Sequence, residues 1–126
     1  MALSVLIVDD STAIRGLLSK ILSTSGLEIE QIVQAADGEE ALAQLEKNSV
    51  NLILSDINMP KMSGEEFVRE VQKDQRFKDI PVLIITTDNS VARVHRLREL
   101  GARGYISKPF TPALIKEKVM SVTEGL

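Results

Sequence analysis

Residues 52–60 read Leu-Ile-Leu-Ser-Asp-Ile-Asn-Met-Pro, and this stretch decides the fold. Its first three residues form an apolar run that is typical of a strand buried on both faces of a parallel sheet. Asp56 follows almost directly and so marks the carboxyl end of that strand. After the proline-containing loop, Ser63 and Glu66 have the spacing of a capping box, which predicts the start of a helix. A buried strand, a polar strand end and a helix therefore follow one another.

The same unit recurs on both sides of this stretch. The other predicted strands are Val5–Val8, Ile29–Gln34, Pro81–Thr86 and Gly104–Ser107. The other predicted helices begin after Ser11, after Asp37 with Glu40 completing a capping box, before Val91, and after Thr111 with Pro112 in the first turn. Apolar residues at helical spacing follow these starts, namely Ile14, Leu17, Leu18, Ile21 and Leu22 in the first helix, which Gly26 ends, and Val91, Val94 and Leu97 in the fourth.

Strict alternation of strands and helices predicts an α/β fold with a doubly wound parallel sheet between two helix layers. The first, third and fourth strands are the most apolar and should lie in the centre. Glu30 and Gln31 interrupt the second strand and the fifth is short, so these two should be edges. The expected order is 2-1-3-4-5, the flavodoxin-like arrangement, within a single domain over residues 1–126.

Composition narrows the classes of function. The chain has 126 residues, a net charge of −3 and no cysteine, so disulfides and thiolate metal sites are excluded. An acidic surface argues against nucleic acid as a partner. The N-terminal residues lack the basic region of a signal peptide, and the apolar runs are too short to span a membrane. We therefore expect a cytoplasmic protein with no membrane partner.

Three carboxylates are predicted to meet at the carboxyl edge of the sheet. Asp9 and Asp10 end the first strand and Asp56 ends the third, and neighbouring strands lie about 5 Å apart. Two carboxylates about 4 Å apart repel by roughly 1 kcal/mol in water and roughly 4 kcal/mol at an effective dielectric constant of about 20. Such a group needs a cation, and an all-oxygen ligand set suits Mg²⁺.

Two further polar residues end the neighbouring strands on the other side of Asp56. Thr86 ends the fourth strand, and Lys108 follows the fifth, two strand spacings away, where its long stem supplies the reach. A carboxylate, a divalent cation, an ammonium and a hydroxyl together suit a phosphoryl group, which needs positioning and charge neutralisation. Asp56 would then be the nucleophile.

These residues are the ones that carry a family resemblance over the whole chain. The sequence resembles the response-regulator receiver family, in particular its single-domain CheY-type members, at Asp9-Asp10, Asp56 in Ser-Asp-Ile-Asn-Met-Pro, Gly64, Thr86 and Lys108-Pro109-Phe110. The resemblance implies a protein of two-component signal transduction that takes a phosphoryl group from a histidine kinase. It implies a phosphoacceptor that promotes its own phosphorylation and dephosphorylation, and not an enzyme with turnover.

The resemblance also implies roles for individual residues. Asp10, Asp56 and the backbone carbonyl of Asn58 would hold Mg²⁺, with Asp9 close by or acting through water. Lys108 would contact the phosphoryl oxygens, and the bond between Lys108 and Pro109 would be cis. Asn58 and Asp88 would flank the water that removes the phosphoryl group.

The resemblance further implies a switch and an output face. After phosphorylation the Thr86 hydroxyl would bond a phosphoryl oxygen, and the ring of Tyr105 would fill the vacated space. The output face would be the fourth helix, fifth strand and fifth helix, where Arg93, His95, Arg96 and Arg103 predict a basic surface for an acidic or amphipathic partner. We expect a monomer before phosphorylation. The effector would be a flagellar motor switch protein, or else a protein of a phosphorelay or kinase pathway.

Two alternatives come from other functional classes. A flavodoxin-like electron carrier would share the sheet order, but its first loop should be rich in hydroxyls and amides, and here it contains Asp9 and Asp10. Aromatic residues are also only 3% of the chain. A metal-dependent phosphohydrolase with an aspartyl intermediate would use a second acid near the nucleophile, where this chain has Asn58.

Overall fold

The computed structural model describes residues 2–88 and 90–124, in which strands and helices alternate. The strands are β1 Leu3–Val8, β2 Ile29–Ala35, β3 Leu52–Asp56, β4 Val82–Thr86 and β5 Gly104–Ser107. The helices are α1 Thr12–Ser23, α2 Gly38–Lys47, α3 Gly64–Lys73, α4 Val91–Leu100 and α5 Pro112–Thr123. The strand starts predicted for β1 and β4 were off by one or two residues; β1 begins at Leu3 because its pairing with Ile29 already starts there.

The strands form one parallel sheet in the order β2-β1-β3-β4-β5, as the sequence predicted. All residues of β1, β3 and β4 are buried, whereas β2 and β5 are partly open at the two edges. Since every strand runs in the same direction, the polar strand ends Asp9, Asp56 and Thr86 lie at one edge of the sheet. The order reverses between β1 and β3, and a crevice is expected there.

The side chains of the sheet alternate between two hydrophobic cores. On one face, residues such as Leu6, Ile53 and Ile84 pack with the buried residues of α2, α3 and α4. On the other face, residues such as Ile7 and Leu54 pack with those of α1 and α5. The three-layer arrangement predicted from the sequence is therefore confirmed.

Side-chain caps begin the helices where the sequence predicted them. The hydroxyls of Ser11, Ser63 and Thr111 each accept a hydrogen bond from a backbone N–H in the first turn that follows. Asp37 caps α2 in the same way by accepting from the N–H of Glu40 at 2.8 Å. The reciprocal bond, in which the exposed Glu40 carboxylate would accept from the N–H of Asp37, does not form among the described residues, so the capping box predicted there is incomplete.

Several apolar residues are less buried than the helical pattern predicted. Leu17 of α1 is 46% exposed and Val91 of α4 is 88% exposed, while Leu97 is the buried residue of α4. The first helix ends at Ser23, ahead of Gly26, whose φ of +89° places it in the left-handed region. Within the described residues no helix combines the length and the apolar character needed to cross a membrane.

Candidate functional site

Three carboxylates meet at the carboxyl edge of the sheet. Ligand oxygens of Asp9, Asp10 and Asp56 all lie within 4.8 Å of one another. Asp9 and Asp56 are buried, and Asp10 is exposed to solvent. The structure thus brings together the acidic residues that the sequence placed at the ends of β1 and β3.

Burial makes the charged form of Asp9 unfavourable. Desolvation raises the pKa of Asp9 above its ordinary value of 3.8, and the nearby charges of Asp56 and Asp10 raise it further. The backbone N–H of Ser11 and the ammonium of Lys108 oppose this shift and do not cancel it. A second positive charge in the cluster would therefore stabilise the ionised carboxylates.

One oxygen of Asp9 shows where such a charge would fit. Its Oδ2 atom is buried and, among the described residues, is the one buried side-chain polar atom without a hydrogen-bond partner. A buried carboxylate oxygen without a donor costs free energy unless a cation or a water satisfies it. The carboxylate cluster offers only oxygen ligands, and it is therefore suited to a hard divalent cation such as Mg²⁺.

Lys108 follows the edge strand β5, and its side chain reaches the carboxylate cluster from there. Its Nζ atom lies 3.4 Å from Oδ1 of Asp56 and 3.6 Å from Oδ2 of Asp9, and the side chain is 23% exposed. The peptide bond between Lys108 and Pro109 is cis. The structure therefore brings the ammonium to the carboxylates across two strand spacings, where the sequence analysis expected it.

The backbone around Asp56 is tightly packed. Oδ1 of Asp56 accepts a hydrogen bond from the N–H of Ile57 at 2.8 Å, and the N–H of Gly64 donates to the carbonyl of Ile57 at 2.8 Å. A Cβ atom on Gly64 would lie 2.4 Å from the carbonyl oxygen of Asp56. Only glycine can therefore stand at the start of α3 without moving the loop that follows Asp56. That loop also contains Asn58, which is exposed, and its predicted role as a ligand stays a prediction.

Thr86 is buried, and its hydroxyl is bonded within the loop after β4. The Oγ1 atom accepts from the N–H of Asp88 at 3.0 Å. The Asp88 side chain is exposed and accepts from the N–H of Ser90 at 3.1 Å and from Nε of Arg93 at 3.4 Å. The bond from Ser90 is the main reason why the pKa of Asp88 is lowered. None of these contacts tests whether Asp88 takes part in removing a phosphoryl group, so that role stays a prediction.

The predicted output face contains a shallow groove. Tyr105 is half-buried, and the Nζ atom of Lys118 lies 5.8 Å from the centre of its ring. A depression of about 290 Å³ is lined by Val91, Val94, His95, Arg98 and Tyr105. Because Val91 is 88% exposed, this face presents apolar surface beside positive charge.

Acidic side chains reduce the positive charge predicted for this face. Both Arg93 and Arg96 form ion pairs with Glu65 of α3, with 3.0 Å between Nε of Arg96 and Oε2 of Glu65. Glu65 is only 17% exposed in its side chain, so the two arginines are held against α3. Its single negative charge compensates part of their charge, and Arg93 also contacts the exposed Asp88 at 3.4 Å. His95 in turn contacts Glu99 at 2.8 Å. Glu65 was not predicted from the sequence, because nothing in its position in α3 indicates which residues of α4 it faces.

Comparison with known proteins gives a family match, similar sequences and a similar solved structure. The chain matches the family described as response regulator receiver domain over residues 5–120. It is 39% identical over 118 residues to chemotaxis protein CheY1 of Helicobacter pylori, which covers 93% of this chain and 94% of that protein. It is 36% identical to a chemotaxis protein CheY homolog of Campylobacter jejuni, over 95% of this chain and 92% of that one. The structure of the chemotaxis response regulator CheY4 of Vibrio cholerae superposes with a TM-score of 0.88 at 38% identity, covering 97% and 99% of the two chains.

Proposed function

The chain belongs to the response regulator receiver domain family, and we propose that it is a chemotaxis-type regulator that accepts a phosphoryl group on Asp56. Relatives at 36–39% identity that cover more than nine-tenths of the chain are named chemotaxis proteins, which supports this assignment. Cytoplasmic location and a histidine kinase as the phosphodonor are part of the same proposal.

The position of Lys108 is the observation that carries the proposal. Its ammonium lies 3.4 Å from Oδ1 of Asp56 and 3.6 Å from Oδ2 of Asp9. An ammonium held there can neutralise charge that develops on phosphoryl oxygens during transfer. In the proposed step a carboxylate oxygen of Asp56 forms a bond to phosphorus while the bond from phosphorus to the imidazole nitrogen of the donor breaks. The imidazole leaves with the electron pair of that bond.

Asp9, Asp10 and Asp56, with the carbonyl of Asn58, would hold the Mg²⁺ ion. When bound, Mg²⁺ supplies positive charge against the oxygens of the phosphoryl group. The unpartnered Oδ2 atom of Asp9 and the convergence of the three carboxylates support this ligand set. The ammonium of Lys108, which contacts Asp56 and Asp9, is then a second positive charge at the site.

We propose that the output lies in the face formed by α4, β5 and α5. Phosphorylation adds about −1.5 to −2 charges and three acceptor oxygens beside Thr86. The hydroxyl would exchange its bond with the Asp88 N–H for one with the phosphoryl group, and Tyr105 would follow. An effector segment with apolar and acidic residues would fit the groove beside Val91 and Arg98.

The alternatives from other classes lose their support. The family match extends over residues 5–120, and the first loop begins with Asp9 and Asp10, whose negative charges would repel a flavin phosphate. Neither an electron carrier nor a phosphohydrolase is favoured by any contact at the site. Binding to a flagellar motor switch protein, measured with and without a phosphodonor, separates the chemotaxis role from a role in a phosphorelay.

The decisive test is phosphorylation of the purified protein by acetyl phosphate with Mg²⁺, followed by intact mass. We expect a mass increase of one phosphoryl group, and no increase for Asp56→Asn or when the divalent cation is chelated. Asp79→Asn is the matched control, since Asp79 is an exposed aspartate before β4 at the opposite edge of the sheet. Labelling of Asp56→Asn to the level of the unmodified protein would overturn the proposal, as would an unlabelled wild-type protein.

A further inference from the structure

Asp9 is held at almost every polar atom that it has. Its N–H donates to the carbonyl of Ala35 on β2 at 3.1 Å. Its Oδ1 atom accepts from the N–H of Ser11 at 2.8 Å, and its carbonyl oxygen accepts from Nη1 of Arg15 at 2.6 Å. The remaining atom, Oδ2, is buried without a hydrogen-bond partner and lies 3.6 Å from the Lys108 ammonium. Three bonds thus fix the residue and leave one oxygen directed at the carboxylate cluster.

Of these three hydrogen bonds, the one from Arg15 is made by a side chain, whereas Ala35 and Ser11 contribute backbone groups. Arg15 lies in the second turn of α1 and is half-buried. Its guanidinium is held in turn by Gln34 of β2, whose Oε1 atom accepts from Nε at 3.1 Å. Nη2 also lies 3.4 Å from the hydroxyl of Thr12. A planar guanidinium bound at several nitrogens is rigid, so it can fix the position of the carbonyl that it contacts.

We propose that Arg15 is a positioning residue for the divalent-cation site. It holds the backbone between Asp9 and Asp10, so that both carboxylates are in place before the cation binds. This inference rests on the proposed function, since it assigns Arg15 to the same site. Sequence analysis gave Arg15 no role, because an arginine on a helix gives no sign that its guanidinium turns back to the preceding strand.

The charge of Arg15 and its positioning role have opposite effects on cation binding. A positive charge near the carboxylates repels a divalent cation, so its removal alone would tighten binding by a few-fold at the dielectric constant of water. Loss of a group that orients a metal ligand typically weakens binding by about 10- to 100-fold. The direction of the change therefore distinguishes the two effects.

Binding is measured by titration with Mn²⁺, with the free aqueous ion followed by electron paramagnetic resonance near physiological ionic strength. We expect Arg15→Gln to bind Mn²⁺ about tenfold more weakly than the wild-type protein. Arg15→Lys keeps the charge but cannot contact Asp9 and Gln34 together, and should be weakened several-fold. Gln34→Ala leaves every charge unchanged and should weaken binding by a smaller factor, because it only frees the guanidinium.

The controls separate this inference from a general loss of structure. Arg69→Gln removes an exposed arginine of α3 and should bind Mn²⁺ like the wild-type protein. Urea unfolding of each variant is measured in chelator and in saturating Mg²⁺. A positioning role reduces the extra stability that Mg²⁺ confers, by RT times the natural logarithm of the factor by which binding weakens. A purely structural role lowers stability equally in both conditions and leaves the dissociation constant unchanged.

The possible outcomes also separate this inference from the proposed function. A wild-type protein that binds no divalent cation would overturn the proposed function, and the inference with it. Wild-type binding that Asp10→Asn abolishes, together with unchanged or tighter binding by Arg15→Gln, would overturn the role of Arg15 alone. Weaker binding by both Arg15→Gln and Gln34→Ala, with stability in chelator retained, would support it.

Discussion

Two clusters of acidic residues lie at the opposite ends of the strands, one at the carboxyl edge of the sheet and one at the amino edge. They differ in whether a side chain of the protein supplies enough positive charge to balance the carboxylates. At the carboxyl edge, Asp9, Asp10 and Asp56 converge, and the Lys108 ammonium contacts two of these carboxylates. At the amino edge, Glu46 and Asp74 both bind Arg76.

In the amino-edge cluster, Arg76 donates a hydrogen bond to every carboxylate oxygen of Glu46 and Asp74. The guanidinium of Arg76 donates to both carboxylate oxygens of Glu46 at 2.6 and 2.7 Å and to both of Asp74 at 2.7 and 3.0 Å. It also lies 4.7 Å from the ring centre of Phe77. These hydrogen bonds lower the pKa values of Glu46 and Asp74, whereas burial raises the pKa of Asp9. A buried carboxylate whose pKa is raised marks a candidate site for a ligand, whereas carboxylates that an arginine matches mark a structural contact.

The largest expected difference between the clusters is in cation binding. Asp10→Asn should weaken Mn²⁺ binding by more than about tenfold, because it removes a ligand from a group that has no other exposed carboxylate. Asp74→Asn should leave binding unchanged, because Arg76 already occupies that cluster. The same paramagnetic titration measures both variants. Equal losses of affinity in the two variants would show that the clusters do not differ in this respect.

In the absence of divalent cations, removal of a carboxylate should stabilise the protein at the carboxyl edge, whereas at the amino edge it should destabilise the protein slightly. Asp9→Asn removes a buried charge whose Oδ2 atom has no hydrogen-bond partner, and should raise the free energy of unfolding by about 1–3 kcal/mol. Urea unfolding in chelator measures the gain, and saturating Mg²⁺ should abolish or reverse it. A variant less stable than the wild-type protein in chelator would show that burial does not penalise this carboxylate.

The gain in Asp9→Asn should also depend on pH. The folded state binds a proton at Asp9 more tightly than the unfolded chain, so wild-type stability falls as the pH rises from 3.8 through the raised pKa. The advantage of asparagine is therefore full above that raised pKa and absent below 3.8. For Glu46 and Asp74 the sign is reversed, since a lowered pKa gives stability at neutral pH that is lost as the pH falls through it.

The smallest expected effect is that of the exposed ion pairs with Arg76. Glu46→Gln should lower the melting temperature slightly at low salt, and added salt should remove most of the difference, since exposed pairs are screened. Lys78→Gln is the matched control, an exposed residue close in the chain to the same cluster. A large loss that salt does not change would mean that Glu46 has a role beyond its charge.

Much of the fold followed from local patterns. The apolar runs and their ranking gave the strand order, because a parallel sheet with helices on both faces buries its central strands completely. Caps at Ser11, Ser63 and Thr111 lie where hydroxyl residues precede apolar periodicity. The exposure of Leu17 and Val91 could not be predicted in this way, since periodicity shows which residues share a face but not whether another element covers that face.

The sequence by itself determined the topology and the side chains at each strand end, because alternation, capping and the common direction of the strands are properties of neighbours along the chain. Only the tertiary structure decided which charges meet. Glu65 of α3 pairs with both Arg93 and Arg96 of α4, and Arg15 turns back to hold the carbonyl of Asp9. Such contacts depend on side-chain directions and on the packing of separate elements, and the hydrogen bonds and burial that they create set the electrostatics of the site.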